Sequence, residues 1–230
     1  MGLTPPGRSV PAARSHDTLQ KALLACGIAA SLLYVGTDIL AASLYQGYSY
    51  TSQMVSELFA VGAPTRPLVI TLFWIYGLLS IAFGAGVLRS AGARKGLRVA
   101  AIMLIAYAVV GLAGPFAPMH QRGAPTSLTD TMHIVVTSAI SLLMMLAIAF
   151  GSGAAGKAFR IYSIATIVLL LAGGGLAGMQ GPKIPKGLPT PGFGIMERVD
   201  IYATLLWAAV LAVVRLRSLG RPGSANGSQG

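Results

Sequence analysis

Residues 22–44 read ALLACGIAASLLYVGTDILAASL. Coiled as a helix rising about 1.5 Å per residue, this run is long enough to cross a hydrocarbon core of about 30 Å. It exceeds the roughly 7–15-residue apolar region of a secretory signal. It also carries Asp38 and leads into an aromatic loop instead of a small-residue cleavage site. The expectation is a retained membrane anchor.

Five similar runs follow it: Leu68–Leu88, Val99–Met119, Met132–Phe150, Ile161–Met179 and Val199–Val214, the last reaching back to about residue 197. The 230 residues are 54% hydrophobic and 10% charged, with a mean hydropathy of +0.71. An ordinary soluble domain carries about 25% charged residues, so lipid is the solvent this chain requires. The fold expected is all-α, a polytopic transmembrane bundle filling residues 19–217, with six spans at about 22–44, 68–88, 99–119, 132–150, 161–179 and 197–214. Pro5, Pro6, Pro11 and scattered arginines without apolar period mark residues 1–18 as a disordered tail. The Gly/Ser/Asn-rich residues 218–230 read the same way. Cys26 is the only cysteine, which excludes an internal disulfide.

The net charge of +11 would point to nucleic acid in a soluble protein, but its distribution excludes that partner here. With the N-terminus cytoplasmic, Arg8, Arg14, Lys21, Arg89, Arg94, Lys95, Arg98, Lys157, Arg160, Arg215, Arg217 and Arg221 lie inside. Arg66, Arg122, Lys183, Lys186 and Arg198 lie outside. That asymmetry across short loops follows the positive-inside bias. Both termini are then cytoplasmic, with the membrane crossed several times. Five of the six acids, Asp38, Glu57, Asp130, Glu197 and Asp200, gather at the outward ends.

The first outward loop, Tyr45–Pro67, has helical spacing of Met54, Val55, Leu58 and Phe59, and Gly62-Ala63-Pro64 stops it. It reads as an amphipathic helix lying in the interface, with Tyr45, Tyr48 and Tyr50 as headgroup-level anchors. The last outward loop mixes Pro182, Pro185, Pro189 and Pro191 with glycines and reads as a stiffened cover. Gly174 and Gly178 form a GxxxG, and Ser80 and Gly84 a similar pair. Such small residues permit close helix approach within the chain, or a homodimer through Gly174 and Gly178.

Asp38 is the most expensive residue of the chain. It sits roughly 6–8 Å below the outer boundary, counted at about 1.5 Å per residue, so it should face the bundle interior. It is either a structural carboxylate bonded to another span or part of a site. Asp130 and His133 share a helix face, where the carboxylate would hold the imidazole in one tautomer. Ser127-x-x-Asp130 also reads as a capping box. Glu197-Arg198 with Asp200 opens the sixth span, and Arg198 would neutralise Asp38, Glu57 or its own neighbours. Asp38 and Asp200 at similar depth would share a proton or hold a cation. The candidate ligand-binding residues are Asp38, Ser56, Glu57, His133, Glu197, Arg198 and Asp200. Catalytic candidates are His133, Asp38 and Glu57, with Ser52 and Ser56 as loose nucleophiles. His120, His133 and Asp130 are weak metal candidates, since neither HExxH nor HxxxH is present. The residues do not identify a cofactor.

Gly47-Tyr48-Ser49, Val55-Ser56-Glu57-Leu58 and Gly62-Ala63-Pro64, with His133 and then Glu197-Arg198, resemble the bacterial membrane proteins grouped as "domain of unknown function 998". The resemblance runs over about Ala22 to Val214 and implies a six-span helical protein of the bacterial cytoplasmic (inner) membrane, without an assigned activity. A looser similarity links the chain to the ceramidase and progestin-receptor superfamily, whose members set a Ser, an Asp and three His around zinc. Only two histidines, His120 and His133, lie on the relevant side here.

Three functions stand against one another. The first is binding of a lipid headgroup or small polar ligand in an outward polar cavity. The second is an intramembrane lipid hydrolase or transferase, metal-dependent or not, with His133 as base and Asp38 orienting it. The third is a proton- or cation-coupled transporter through Asp38 and Asp200. The scarcity of polar residues in the inner halves of the spans argues against a continuous path.

Overall fold

The computed structural model describes residues 10–219. These form six α-helices: α1 (Val10–Leu44), α2 (Arg66–Ser90), α3 (Lys95–Leu112), α4 (Leu128–Gly151), α5 (Gly156–Gln180) and α6 (Phe193–Leu219). Among the described residues there is no strand. Five stretches are long and apolar enough to cross a membrane: His16–Leu44, Arg66–Ser90, Lys95–Phe116, Leu128–Lys183 and Phe193–Leu219. The fourth contains both α4 and α5. Only 22% to 33% of each stretch's most apolar window is buried. Large apolar side chains such as Leu32, Leu78, Ile134 and Leu171 consequently point outward, the mark of helices solvated by lipid.

The termini of the elements follow local chemistry. Ser127 caps α4, accepting from the Asp130 N–H, while the Asp130 side chain accepts from the Ser127 N–H at 2.8 Å. Pro67 occupies the first turn of α2, where its missing N–H costs nothing. The third span differs from the expected 99–119: α3 ends at Leu112, because Gly114-Pro115 tightens the chain into a 3-10 turn over Gly114–Phe116. Met119 instead packs under the loops. α1 extends back to Val10 and α6 on to Leu219, both into segments read as tails. Residues 1–9 and 220–230 lie outside the described residues.

α1 packs on α2 and α6, α3 on α2 and α4, and α5 on α4 and α6, so each helix neighbours its sequence neighbours and the last returns to the first. Gly156, at φ +79°, turns the chain between α4 and α5. The Gly123 N–H donates to the Ile184 carbonyl at 2.9 Å, setting the start of α4 beside the end of α5, so the two run antiparallel. The bundle has a loop-rich end, holding residues 45–65, 117–127 and 181–192, and an opposite end with short turns.

Small residues decide how closely the helices approach. A Cβ at Gly86 would lie 2.9 Å from the α1 backbone at Leu23 and Leu24, and one at Gly96 would lie 2.9 Å from the Phe150 carbonyl of α4. Gly84 abuts Ile105 of α3. Gly174 and Gly178, by contrast, have open space in front of them. Among the described residues nothing packs against them. Toward the short-turn end, Leu24, Phe83, Val87, Ile148, Trp207 and Leu211 form the main core. The Trp207 indole donates to Ser163 Oγ at 2.9 Å, satisfying its buried N–H.

Gly86→Ala should force α1 and α2 apart and lower stability by about 1–3 kcal/mol, whereas Gly174→Ala should leave it unchanged or slightly raised. Thermal unfolding of both variants in one detergent checks this.

Candidate functional site

Asp38 lies on α1 and Arg198 on α6. Both side chains are almost fully buried, and they meet face to face: Arg198 Nη2 donates to Asp38 Oδ1 at 2.8 Å and Nε to Oδ2 at 2.9 Å. A bidentate pair of this kind is the strongest arrangement a guanidinium and a carboxylate can form. The remaining donors are also used. Nη1 donates to the carbonyls of Tyr50 at 2.8 Å and of Gln53 and Gly194 at 3.1 Å, while Nη2 reaches the Tyr48 hydroxyl at 2.7 Å. The guanidinium stacks on the Tyr50 ring, 3.6 Å from its centroid. Tyr202, one turn after Arg198 on α6, donates to Asp38 Oδ2 at 2.5 Å, and Tyr50 donates to the same oxygen at 3.1 Å. The two phenols are 2.8 Å apart at the exposed mouth. Burial pushes the Tyr48 hydroxyl well above the ordinary phenol range, so it stays a neutral donor. It serves the Met54 carbonyl at 2.7 Å.

A second buried carboxylate sits beside the first group. Glu57 accepts Arg122 Nη2 at 2.8 Å and Nε at 3.3 Å, Gln53 Nε2 at 3.0 Å and the Met54 N–H at 3.0 Å. Arg122 also donates to the Leu188 carbonyl at 2.9 Å, which ties the loop before α4 to the loop before α6. Glu197 accepts the Val55 N–H at 2.6 Å. The loops interlock as well: Thr190 Oγ1 donates to the Ser52 carbonyl at 2.8 Å and the Ile195 N–H to Thr51 O at 3.2 Å.

This arrangement corrects the reading of the first loop as an interfacial helix. Val55–Phe59 is a 3-10 turn whose Val55, Ser56, Glu57 and Leu58 are buried. The polar residues on that turn face inward because Arg122 and backbone donors are there to receive Glu57. Tyr48 and Tyr50 serve the Arg198 network, and Tyr45 donates to Gln121 at 3.2 Å, so none of the three acts simply as a headgroup anchor.

The structure brings Asp38, Ser56, Glu57, Glu197 and Arg198 together but leaves four candidates, His120, Asp130, His133 and Asp200, apart from them. His133 Nδ1 lies 3.0 Å from the Ala117 carbonyl, and its ring lies against Phe59. A carbonyl only accepts, so Nδ1 carries the proton. Asp130 turns away from His133 to serve its cap and His120, whose Nδ1 is 2.9 Å from Asp130 Oδ2 and whose backbone N–H donates to Oδ1 at 2.7 Å. The shared face of Asp130 and His133 is therefore not a shared hydrogen bond. Asp200 faces Gly173 of α5, where any Cβ would overlap its carboxyl, and its Oδ1 is buried without a hydrogen-bond partner. It does not pair with Asp38. Among the described residues, no group of three or more His, Cys, Asp or Glu is placed to hold a metal ion.

Several participants were not singled out from the sequence. Arg122 is the counter-charge of Glu57, Tyr202 a ligand of Asp38, and Gly194 the close-approach point beneath Arg198. A Cβ at Gly194 would overlap the carbonyl oxygens of Gln53 and Tyr50. Tyr202 carried a readable signal, because residues four apart on a helix share a face.

Fold and cluster together define a multi-pass helical membrane protein with a self-neutralised polar cap at one end of the bundle. The chain belongs to the family described as "Protein of unknown function (DUF998)", whose model matches residues 28–214. No curated protein and no solved structure matches it.

Asp38→Ala should cost on the order of 3–5 kcal/mol, since it strands a buried guanidinium. Asp38→Leu combined with Arg198→Met should cost much less than the sum of the single changes. Unfolding midpoints of the four proteins, compared as a double-mutant cycle, test this.

Proposed function

We propose that the chain is a non-enzymatic binding protein of the bacterial cytoplasmic membrane, with six spans, both termini inside, and the Asp38–Arg198 cap facing outward. The observation that carries this reading is the hydroxyl rim above the cap. Tyr50 and Tyr202 meet at the mouth directly over Asp38. Ser49, Thr51 and Ser52 continue the rim, with Ser49 Oγ 3.3 Å from Thr51 Oγ1 and the latter 3.5 Å from Ser52 Oγ. Beneath it, Asp38 and Glu57 are each matched by an arginine, so these two pairs present dipoles and no net charge. A rim of donors and acceptors over these pairs suits an uncharged or zwitterionic ligand, such as a lipid headgroup or a small polar molecule.

The twelve-to-five distribution of basic residues supports the orientation. Separate crossings by α4 and α5 accord with their antiparallel packing and with lengths of 24 and 25 residues. The hydrolase reading lacks support, since His133 is engaged with a backbone carbonyl and stands apart from Asp38. For transport, the cavity between α1, α2, α3, α4 and α6, lined by Ser31, Tyr76, Ser80 and Tyr107, measures about 20 Å³, room for about one water.

Native mass spectrometry in mixed phosphatidylethanolamine and phosphatidylglycerol micelles tests the proposal. Wild-type protein should retain phosphatidylethanolamine or a neutral polar adduct. Tyr50→Phe with Tyr202→Phe should lose it about tenfold, as expected for two lost hydrogen bonds, while keeping the fold. Equal retention by both proteins, or none by wild type, would overturn it.

A further inference from the structure

The end of the bundle opposite the cap carries an electrostatic imbalance. Arg215, near the end of α6, is 3% exposed. Its Nε donates to Ser90 Oγ at 3.1 Å and Nη2 to the Ser90 carbonyl at 2.6 Å. Both acceptors are neutral.

None of the chain's acids is placed to compensate it. The sequence holds six, all among the described residues. Asp38 and Glu57 are held by Arg198 and Arg122, Asp130 by His120 and its cap, and Glu197 by the Val55 N–H, all at the far end. Asp200 lies against Gly173 of α5. Asp17, the one acid at this end, is taken by Lys21 at 2.5 Å. A buried guanidinium without a counter-charge is costly, and an anion from outside the chain is the remaining source of compensation.

The structure offers a place for one. Ser90, which receives Arg215, also lines an open hollow of about 410 Å³ together with His16, Asp17, Gln20, Arg89 and Leu219. The hollow is built rather than incidental. Gln20, itself buried, donates to the Gly86 carbonyl at 2.7 Å and accepts Arg89 Nε at 3.2 Å, which fixes the root of Arg89 at the wall. Nη1 and Nη2 of Arg89 remain for a ligand. Guanidinium forks match the oxygen spacing of phosphate groups better than an ammonium does.

We propose that this hollow binds a phosphate-class anion, with Arg89 as its direct ligand and Arg215 as the buried charge behind Ser90. Phosphate monoanions and the phosphodiester of an acidic lipid headgroup share this chemistry. The site is distinct from the outer rim and independent of the ligand bound there.

The test measures the unfolding midpoint of the full chain in detergent with increasing phosphatidylglycerol, phosphatidylcholine or inorganic phosphate. Phosphatidylglycerol or inorganic phosphate should raise the midpoint and phosphatidylcholine should not. A response to phosphatidylglycerol alone assigns the anion to lipid, and a response to inorganic phosphate as well assigns it to the phosphate group itself. Arg89→Gln, a change at an exposed side chain, should weaken the response about tenfold, the effect of losing one charged hydrogen-bonding group. It should leave the phosphatidylethanolamine adduct of the outer rim intact. Arg215→Lys, which keeps the charge but loses the bonds to Ser90, should weaken it less than Arg215→Gln. No stabilisation by either anion, an equal effect of phosphatidylcholine, or an undiminished response in Arg89→Gln would overturn the proposal.

Discussion

The bidentate pair between Asp38 and Arg198 joins the first helix of the bundle to the last. Every other neighbouring pair in the ring is consecutive in sequence and so is joined by a connecting segment as well as by packing. Closure between α1 and α6 has no connecting segment and rests on contacts between the two helices, among them the buried hydrogen bond from Ser31 Oγ to the Leu205 carbonyl at 2.9 Å and, at the capped end, the ion pair. In lipid the hydrophobic effect does not drive helices together, so a buried ion pair is an effective seal: separation would expose both charges to an apolar medium. Arg198 does more than close the ring. By donating to the carbonyls of Tyr50, Gln53 and Gly194 it also fixes the first outer loop against the start of α6. One side chain thereby sets both the helix arrangement and the cover above it.

Its consequences spread through the loops. Once residues 50–53 are held, Glu57 is carried inward on its 3-10 turn, and Arg122 arrives from the loop before α4 to balance it. Arg122 then reaches Leu188, and Thr190 returns to Ser52, so three loops become one layer. The cap ends with its two buried carboxylates matched by arginines. The opposite end has the reverse character, with Arg215 buried and the lone acid, Asp17, committed to Lys21. The two ends thus differ in kind: one is internally neutralised, the other carries excess positive charge.

Much of this was legible in the residues. Long apolar runs give membrane-length helices because backbone polar groups in lipid must be satisfied within the segment. The cost of a carboxylate at membrane depth led from Asp38 to an interior partner, and Arg198 was among those named. Limits appeared where partners are distant in sequence. Arg122 and Glu57 lie 65 residues apart, and no periodicity connects them. Without that pairing, the polar face of Val55–Phe59 looked like a surface facing water. For Asp130, a shared helix face with His133 was visible, but the competing His120 comes from a loop whose path depends on the break at Gly114-Pro115. Gly174 and Gly178 carried a packing pattern with nothing packed on it, since a motif reports what a helix permits and not what lies opposite.

Ring closure by Asp38 and Arg198 is most directly tested by a distance measurement between the helices that the pair joins. Spin labels at Leu44 of α1 and Ile195 of α6, both exposed, would be introduced as cysteines in a Cys26→Ser background and read by pulsed electron paramagnetic resonance in lipid nanodiscs. A single narrow distance in the otherwise native chain, broadened or lengthened when Arg198→Gln is added, is the predicted result. An unchanged narrow distance in Arg198→Gln would show that α1 and α6 are held together by something else.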